Sequence, residues 1–359
     1  MSKKEKNNVC PRLGKVGGQA VLEGVMMRSG DKWCLAVRED EGGIAVRDGE
    51  YVSLRKKHKF CNIPIIRGVI NFVEMLKLSM DMLTASAEMI GIEAEEFESK
   101  FDKWVSEKFG DKLMKGVMAV ATVLGVVLSV GLFILLPTFV TRLCLGKGDG
   151  TFQPIRALIE GVLKIGIFVL YIFLVGLMPD IKRTFRYHGA EHKSVACYEK
   201  GLELTPENAA TCTRFHPRCG TSFIFVMLIL SIIISAFIPF TNTWLRSAVK
   251  FLLLPITVGL GFEFIMYAGR HDNVLTKILS APGLWMQRLT TKNPDESQLE
   301  IAITALKGAI PDEFGPLEGV HRDGDTDTDT ENEDAVPPVL DPEDLSAPAD
   351  TENDSEGDN

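Results

Sequence analysis

The sequence has few of the features that mark secreted disulfide proteins or nucleotide-binding enzymes. Its 359 residues include seven cysteines, an odd number that argues against a disulfide scaffold. Its glycines form neither a GxGxxG fingerprint opening a helix nor the GxxxxGK[ST] phosphate loop. The first 20 residues lack the apolar core of a secretory signal peptide. We therefore expect reduced cysteines and a cytoplasmic N-terminus.

Basic residues are almost absent from the C-terminal tail, so the net charge of the whole chain differs in sign from that of the residues before the tail. Residues 311–359 contain 18 acidic side chains and a single basic one, Arg322, and without them the net charge of −9 becomes +8. Hydrophobic residues make up 46% of the chain, and the mean hydropathy is +0.11 although 24% of the residues are charged. Apolar and charged residues are therefore segregated, which argues against a purely soluble enzyme.

Four apolar runs approach or exceed the roughly 20 residues that a helix needs to cross a bilayer. They cover residues 113–140, 161–178, 221–240 and 248–268. Lys and Arg cluster before the first run, between the second and third, and after the fourth, and such clusters stay in the cytoplasm. The sequence predicts a mainly α, polytopic protein of the inner (plasma) membrane with about four transmembrane helices and both termini cytoplasmic.

The remaining segments have distinct patterns. Short β-type runs at 33–38, 44–47 and 51–54 alternate with turn signals, and a helix start at Pro294 to Glu296 predicts a helix that runs to Lys307. The predicted units are a small cytoplasmic β-meander (13–60), amphipathic interfacial helices (61–112), a four-helix membrane domain with a cytoplasmic 180–220 loop (113–269), C-terminal amphipathic helices (270–310) and a disordered acidic tail (311–359).

The 180–220 loop contains the sequence YHGAEH at 187–192, with the order HxxEH that inverzincins use. On a helix, His188 and His192 are four residues apart and share a face, so both imidazoles can reach one Zn²⁺. Glu191 would then lie beside the metal as a general base for a bound water. A helix over 184–200 is consistent with Gly201 as its stop.

Three more residues are candidate ligands for the same metal. His216 and Cys219 end the loop in the sequence HPRC, and their nitrogen and sulfur ligands suit zinc better than magnesium or calcium. Glu263 is an ionisable residue within the fourth apolar run, where such residues usually face a polar site. Structural alternatives remain open: the histidines flank a basic interfacial helix, Cys219 fills a core, and Glu263 pairs with Arg270.

Several motifs together resemble one family. GGQAVLEGVMMR at 17–28, PIIRG at 64–68, YHGAEHK at 187–193 and HPRCGTSF at 216–223 are similar to those of the YqhQ-like bacterial membrane proteins, as is the stretch at 287–303. The resemblance covers residues 13–308 and implies a membrane protein of unknown function labelled as a metal-dependent enzyme. It carries over to the motif positions His188, Glu191, His192, His216 and Cys219, but not to Cys212 or the acidic tail.

The leading hypothesis is a zinc-dependent hydrolase that acts on a membrane-associated peptide or lipid-linked substrate. The alternative is a membrane scaffold or assembly factor with a structural zinc site. A site role for Glu23 or Arg28 is a weaker option than a strand with tight turns. The expected partners are the lipid bilayer, a protein bound by the acidic tail and a second copy of the chain in a homo-oligomer, whereas no nucleic acid is expected.

Overall fold

The structure, a computed structural model, describes residues 12–39, 42–91, 111–146, 154–216, 218–240, 242–268, 274–317 and 319–322. Most of these residues are helical. The helices are α1 (Leu54–Lys57), α2 (Ile66–Met89), α3 (Asp111–Val130), α4 (Leu136–Leu145), α5 (Pro154–Val175), α6 (Pro179–Glu199), α7 (Pro206–Ala210), α8 (Gly220–Ala236), α9 (Thr243–Leu252), α10 (Leu254–Ala268), α11 (Val274–Thr290), α12 (Glu296–Ala309) and α13 (Pro311–Phe314). A 3₁₀ turn covers Lys59–Asn62, and a π-helical turn at Gly131–Leu135 joins α3 to α4.

Five strands form one sheet in the order β1-β2-β3-β4-β5. They are β1 (Val16–Val21), β2 (Gly24–Ser29), β3 (Lys32–Arg38), β4 (Ile44–Glu50) and β5 (His321–Arg322). The first four pair antiparallel as a meander, and β5 adds to β4 in parallel. A two-residue turn at Leu22 and Glu23 joins β1 to β2, and Glu23 has the positive φ of 50° that tight turns use. Among the described residues, β1 pairs only with β2 and forms one edge of the sheet.

Both faces of the sheet are buried, because the side chains of β2 and β3 alternate between two apolar cores. One core combines Met27 and Cys34 with residues of α6 and α12, including Tyr198 and Leu306. The other core packs Met26, Leu35 and Val37 against Leu78, Met82 and Ala85 of α2. The sheet thus lies between α2 on one side and α6 with α12 on the other.

This arrangement changes the interpretation of three predicted units. The 180–220 loop contains the long helix α6, and the predicted amphipathic segment 270–310 contains α12, whose residues Leu299, Ile301 and Leu306 are fully buried. Both helices share a core with the strands of the predicted meander. An Asp295 capping box with Gln298 begins α12, so local signals place the helix, whereas its burial depends on the distant sheet.

Two more expectations need correction. The run 51–54, predicted as a strand, contains no strand, because Ser53 caps the short helix α1 by accepting a hydrogen bond from the backbone N–H of Arg55. The predicted disordered tail begins with regular structure: α13 and β5 lie within 311–322. β5 pairs with β4, and Phe314 of α13 packs against the core of the sheet domain, by which we mean the five strands with α6 and α12. Residues 323–359, the rest of the predicted disordered tail, lie outside the described residues.

By length and composition, two helices in the described part of the chain can cross a membrane, at Thr122–Leu145 and Pro154–Val175. A third results if Thr243–Leu252 and Leu254–Tyr267, which meet at a bend of 46°, act as one broken span. The predicted span at 221–240 corresponds to α8, an apolar helix of only 17 residues. Four spans are therefore not confirmed, because one apolar run is short and another is broken.

Candidate metal centre

Helix α6 holds the HxxEH residues in its buried second half. Pro179 and Asp180 occupy its first turn, and Gly201, at φ +70°, follows its end, in agreement with the usual helix start and stop signals. Gly189 is needed where the helix crosses the chain after α11, because a Cβ there would lie 1.9 Å from the carbonyl oxygen of Lys292. The helix is thereby held close to the segment that carries Thr290.

The two histidines are oriented by main-chain carbonyl groups. The Nδ1 of His188 lies 3.0 Å from the carbonyl oxygen of Thr290, and the Nδ1 of His192 lies 2.6 Å from that of Arg214. Since a carbonyl oxygen only accepts, each Nδ1 carries a proton, and in the neutral imidazole each Nε2 then has the free lone pair. This is the outer-sphere arrangement that metal-binding histidines usually have.

Cys219 completes a group of three ligand atoms. Its Sγ lies 3.3 Å from the Nε2 of His188, and one ligand atom from each of His188, His192 and Cys219 lies within 4.8 Å of the other two. A tetrahedral zinc ion with ordinary Zn–N and Zn–S bonds separates its ligand atoms by about 3.4–3.6 Å. Two imidazoles and a thiol are the donor types that zinc prefers, so the chemistry of this donor set fits the metal.

Glu191 lies beside this group. Its Oε2 is 3.8 Å from the Nε2 of His188 and 3.8 Å from that of His192. Burial raises the pKa of Glu191, although the nearby His188 and a hydrogen bond from the backbone N–H of Gly18 oppose the shift. Burial lowers the pKa of His192, which favours the neutral imidazole that binds metals. The carboxyl group of Glu191 therefore lies beside the three ligand atoms and is not itself one of them.

His216 is close to the group but differently engaged. Its ring centroid lies 5.8 Å from that of His192, while its Nε2 lies 3.3 Å from Oε2 of Glu199. Glu199 also accepts from Arg218 and from the backbone N–H of Gly14. His216 therefore belongs to an ionic cluster at the edge of the site. The sequence pattern does not reveal the role of Glu199, because no spacing rule links it to the HPRC motif.

Glu263 lies outside the site. Its carboxylate makes a bidentate ion pair with Arg67 of α2, with Oε1 2.5 Å from the Nε of Arg67. Arg270, the partner considered from the sequence, lies outside the described residues. A ligand role for Glu263 would require this pair to break.

The glycine-rich motif at 17–28 forms the β1–β2 hairpin, which contacts α6 through Glu23. Glu23 accepts hydrogen bonds from Tyr187, whose hydroxyl lies 3.2 Å away, and from Arg183 at 2.5 Å. Tyr187 is adjacent to His188 in the chain. Arg28 instead donates to the carbonyl oxygens of Gly30 and Tyr51, so its role is structural.

Comparison with known proteins shows the family of the chain. Residues 63–312 match the family described as "Protein of unknown function (DUF1385)". The chain belongs to this family. It is also 33% identical over 296 residues to "Uncharacterized protein YqhQ" of Bacillus subtilis (strain 168), an alignment that covers 81% of this chain and 90% of that protein. The YqhQ-like resemblance is thus confirmed, whereas the metal-dependent activity stays a prediction. No solved structure matches the chain.

Proposed function

We propose that this protein is a membrane-bound hydrolase whose zinc ion is held by His188, His192 and Cys219, with Glu191 as the general base. The convergence of three nitrogen and sulfur donors within 4.8 Å, next to a buried carboxylate, carries the proposal. The donor set leaves a fourth position open, as catalytic zinc sites do. The substrate is a membrane-associated peptide or lipid-linked molecule.

The residues of the chain have separate tasks in such a reaction. When bound, zinc would polarise a carbonyl group and lower the pKa of water. Glu191 takes a proton from a water molecule whose oxygen forms a bond to the carbonyl carbon of the substrate. The bond from that carbon to the leaving nitrogen or oxygen then breaks, and the proton passes from Glu191 to the leaving atom. The carbonyl groups of Thr290 and Arg214 keep both imidazoles in the required tautomer.

The proposal includes the arrangement in the inner membrane. Four helical segments enter the bilayer, of which α8 is short and α9 with α10 is bent. The sheet domain and both termini lie in the cytoplasm, because basic residues flank these segments on that side. A protein partner for the acidic tail and a homo-oligomer are compatible with this arrangement, and no nucleic acid takes part.

A scaffold with a structural zinc site is the second candidate, and the burial of the site favours it. Glu191 is 7% exposed and His192 is 2% exposed, and the Oε2 of Glu191 is equally close to both Nε2 atoms. A small movement would make Glu191 a fourth ligand, and four protein ligands are typical of structural zinc. In that case the metal would stabilise the packing of α6 against the start of α8.

The metal content and the activity of detergent-purified variants distinguish the hydrolase from the scaffold. We expect about one zinc per chain in wild type, loss of zinc in His188→Ala, and retention of zinc with loss of peptide or ester hydrolysis in Glu191→Gln. Glu203→Gln, which changes an exposed carboxylate near α6, is the matched control. Wild-type hydrolysis by Glu191→Gln would overturn the hydrolase mechanism. Loss of zinc and of folded yield in Glu191→Gln would favour the scaffold.

A further inference from the structure

The two edges of the sheet differ in the described part of the chain. At one edge, β5 adds to β4 and pairs with it at Ala45 and Val46. At the other edge, β1 pairs with β2 on its inner side only. An edge strand of this kind offers unpaired main-chain groups to another strand. The edge formed by β1 lies next to α6 and the candidate metal centre, because Gly18 of β1 is close to Glu191 of α6.

The register of the hairpin identifies which main-chain groups point outward. Val21 and Gly24 close the two-residue turn and therefore form a hydrogen-bonded pair, after which bonded and non-bonded pairs alternate. The N–H and C=O groups of Gly18 and Ala20 consequently point away from β2. A Cβ on Gly18 would lie 3.0 Å from the Cγ of Glu191, so the side chain of Glu191 lies next to this part of the edge. No described residue hydrogen-bonds to the main chain of Ala20.

The edge is open where it approaches the site. Gly17 and Gly18 are both exposed, although they belong to a strand, and a Cβ on Gly17 would meet no atom within 4 Å. Glycine within a strand often marks a place where another backbone approaches closely. His188, the more exposed of the two histidines, has a side chain that is 17% exposed, compared with 3% for His192. Access to the ligand atoms therefore comes from the side of His188.

We propose that the outer edge of β1 binds an extended polypeptide as an added strand and thereby presents a peptide bond of that segment to Glu191. The added strand pairs with the outward N–H and C=O groups of Ala20 and Gly18. The side chain of Glu191 lies next to Gly18, so the paired segment passes beside the carboxylate and the ligand atoms. This inference rests on the proposed function and assigns a peptide, rather than a lipid, as the substrate class.

The hydrogen-bonding pattern of the edge favours a peptide. Outward N–H and C=O groups recur at every second residue of β1, a repeat that matches the backbone of another strand. Lipid headgroups have no amide groups at that repeat. Gly17 and Gly18 have no side chains, so a ligand at this edge can bind only through their main-chain groups.

Binding of an unfolded protein tests the inference without turnover. The probe is fluorescein-labelled casein, and its affinity is measured by fluorescence anisotropy on the detergent-purified full chain in the Glu191→Gln background. Ala20→Pro removes the outward N–H and spares the hydrogen bonds to β2, as proline on an edge strand does. We expect Ala20→Pro to bind about tenfold more weakly, because one hydrogen bond and the close approach of the added strand are lost. Ala20→Val keeps the N–H and should bind like its parent.

A second measurement holds even if Ala20→Pro folds poorly. A photo-crosslinking amino acid in place of Gly17 should capture casein, whereas the same group in place of Leu202, an exposed residue after α6, should not. Equal affinity of Ala20→Pro and Ala20→Val, or equal crosslinking at both positions, would overturn the inference. So would zinc-loaded wild type that binds a fluorescent phospholipid but no casein. If casein binds at β1 while wild type contains no zinc, the strand site stands and the metal-dependent function fails.

Discussion

At the scale of single residues, Gly18 is where the sheet and the candidate site meet. Its Cα lies so close to β2 and to Glu191 that no side chain fits there. A Cβ at this position would lie 2.6 Å from the carbonyl oxygen of Met26 and 3.0 Å from the Cγ of Glu191. The glycine therefore permits close packing of β1 against α6.

Gly18→Ala should destabilise the protein by about 1–3 kcal/mol, because the added methyl group meets backbone atoms that cannot move aside easily. Gly17→Ala is the matched control, since its Cβ enters open space. Thermal and chemical unfolding in detergent give the stability of both variants. Equal stability of the two variants would contradict the close approach of β1 to α6.

At the scale of elements, α2 is fixed to α10 by small residues and one ion pair. A Cβ on Gly68 would lie 2.9 Å from the Cα of Gly259, so the two helices cross closely. Arg67, next to Gly68, pairs with Glu263 one turn beyond Gly259. The PIIRG segment thus positions α2 against the apolar helix α10 and lies apart from the candidate metal centre.

Glu263→Gln should therefore leave the zinc content unchanged and lower the thermal stability. Arg67→Gln should lower the stability by a similar amount, and the double variant should be little worse than either single one, because both changes break the same pair. Mass spectrometry for metal and thermal unfolding provide the two measurements. Loss of zinc in Glu263→Gln would restore Glu263 as a ligand.

The sequence predicted elements better than their assembly. The HxxEH spacing identified His188, Glu191 and His192, because residues four apart on a helix share a face. Cys219 followed from its ligand type and Glu263 from its burial cost, but only Cys219 lies with the histidines. No local pattern reveals that Arg67 neutralises Glu263 or that Thr290 and Arg214 orient the imidazoles. These contacts join segments 22 to 196 residues apart, which depend on tertiary packing.

At the scale of the whole molecule, the described chain combines apolar helices with one domain built from distant segments. The sheet domain takes strands from residues 16–50, α6 from the middle of the chain and α12 near its end. The apolar helices are inserted between these segments. In the proposed arrangement, the apolar helices within each insertion bring the chain back to the side where it started, because all of these segments join the same sheet domain, and we propose that this side is the cytoplasm.

Cysteine labelling in intact cells tests that placement. A membrane-impermeant maleimide should label Cys144, which is exposed at the end of α4, before lysis, and Cys61 only after lysis. Cys34 and Cys197 should resist labelling until the protein unfolds, because burial raises their pKa to about 12 and about 11. Mass spectrometry of the labelled peptides identifies each site. Labelling of Cys61 in intact cells would contradict the orientation.

The most direct test of the metal centre is the absorption spectrum of the protein loaded with cobalt(II) in place of zinc. Two imidazoles and one thiolate predict a thiolate-to-cobalt charge-transfer band together with the intense visible bands of a tetrahedral site. The charge-transfer band should disappear in Cys219→Ser and persist in Cys212→Ser, the matched control. The same spectrum in wild type and Cys219→Ser, or no cobalt bound by folded wild type, would contradict a centre formed by His188, His192 and Cys219.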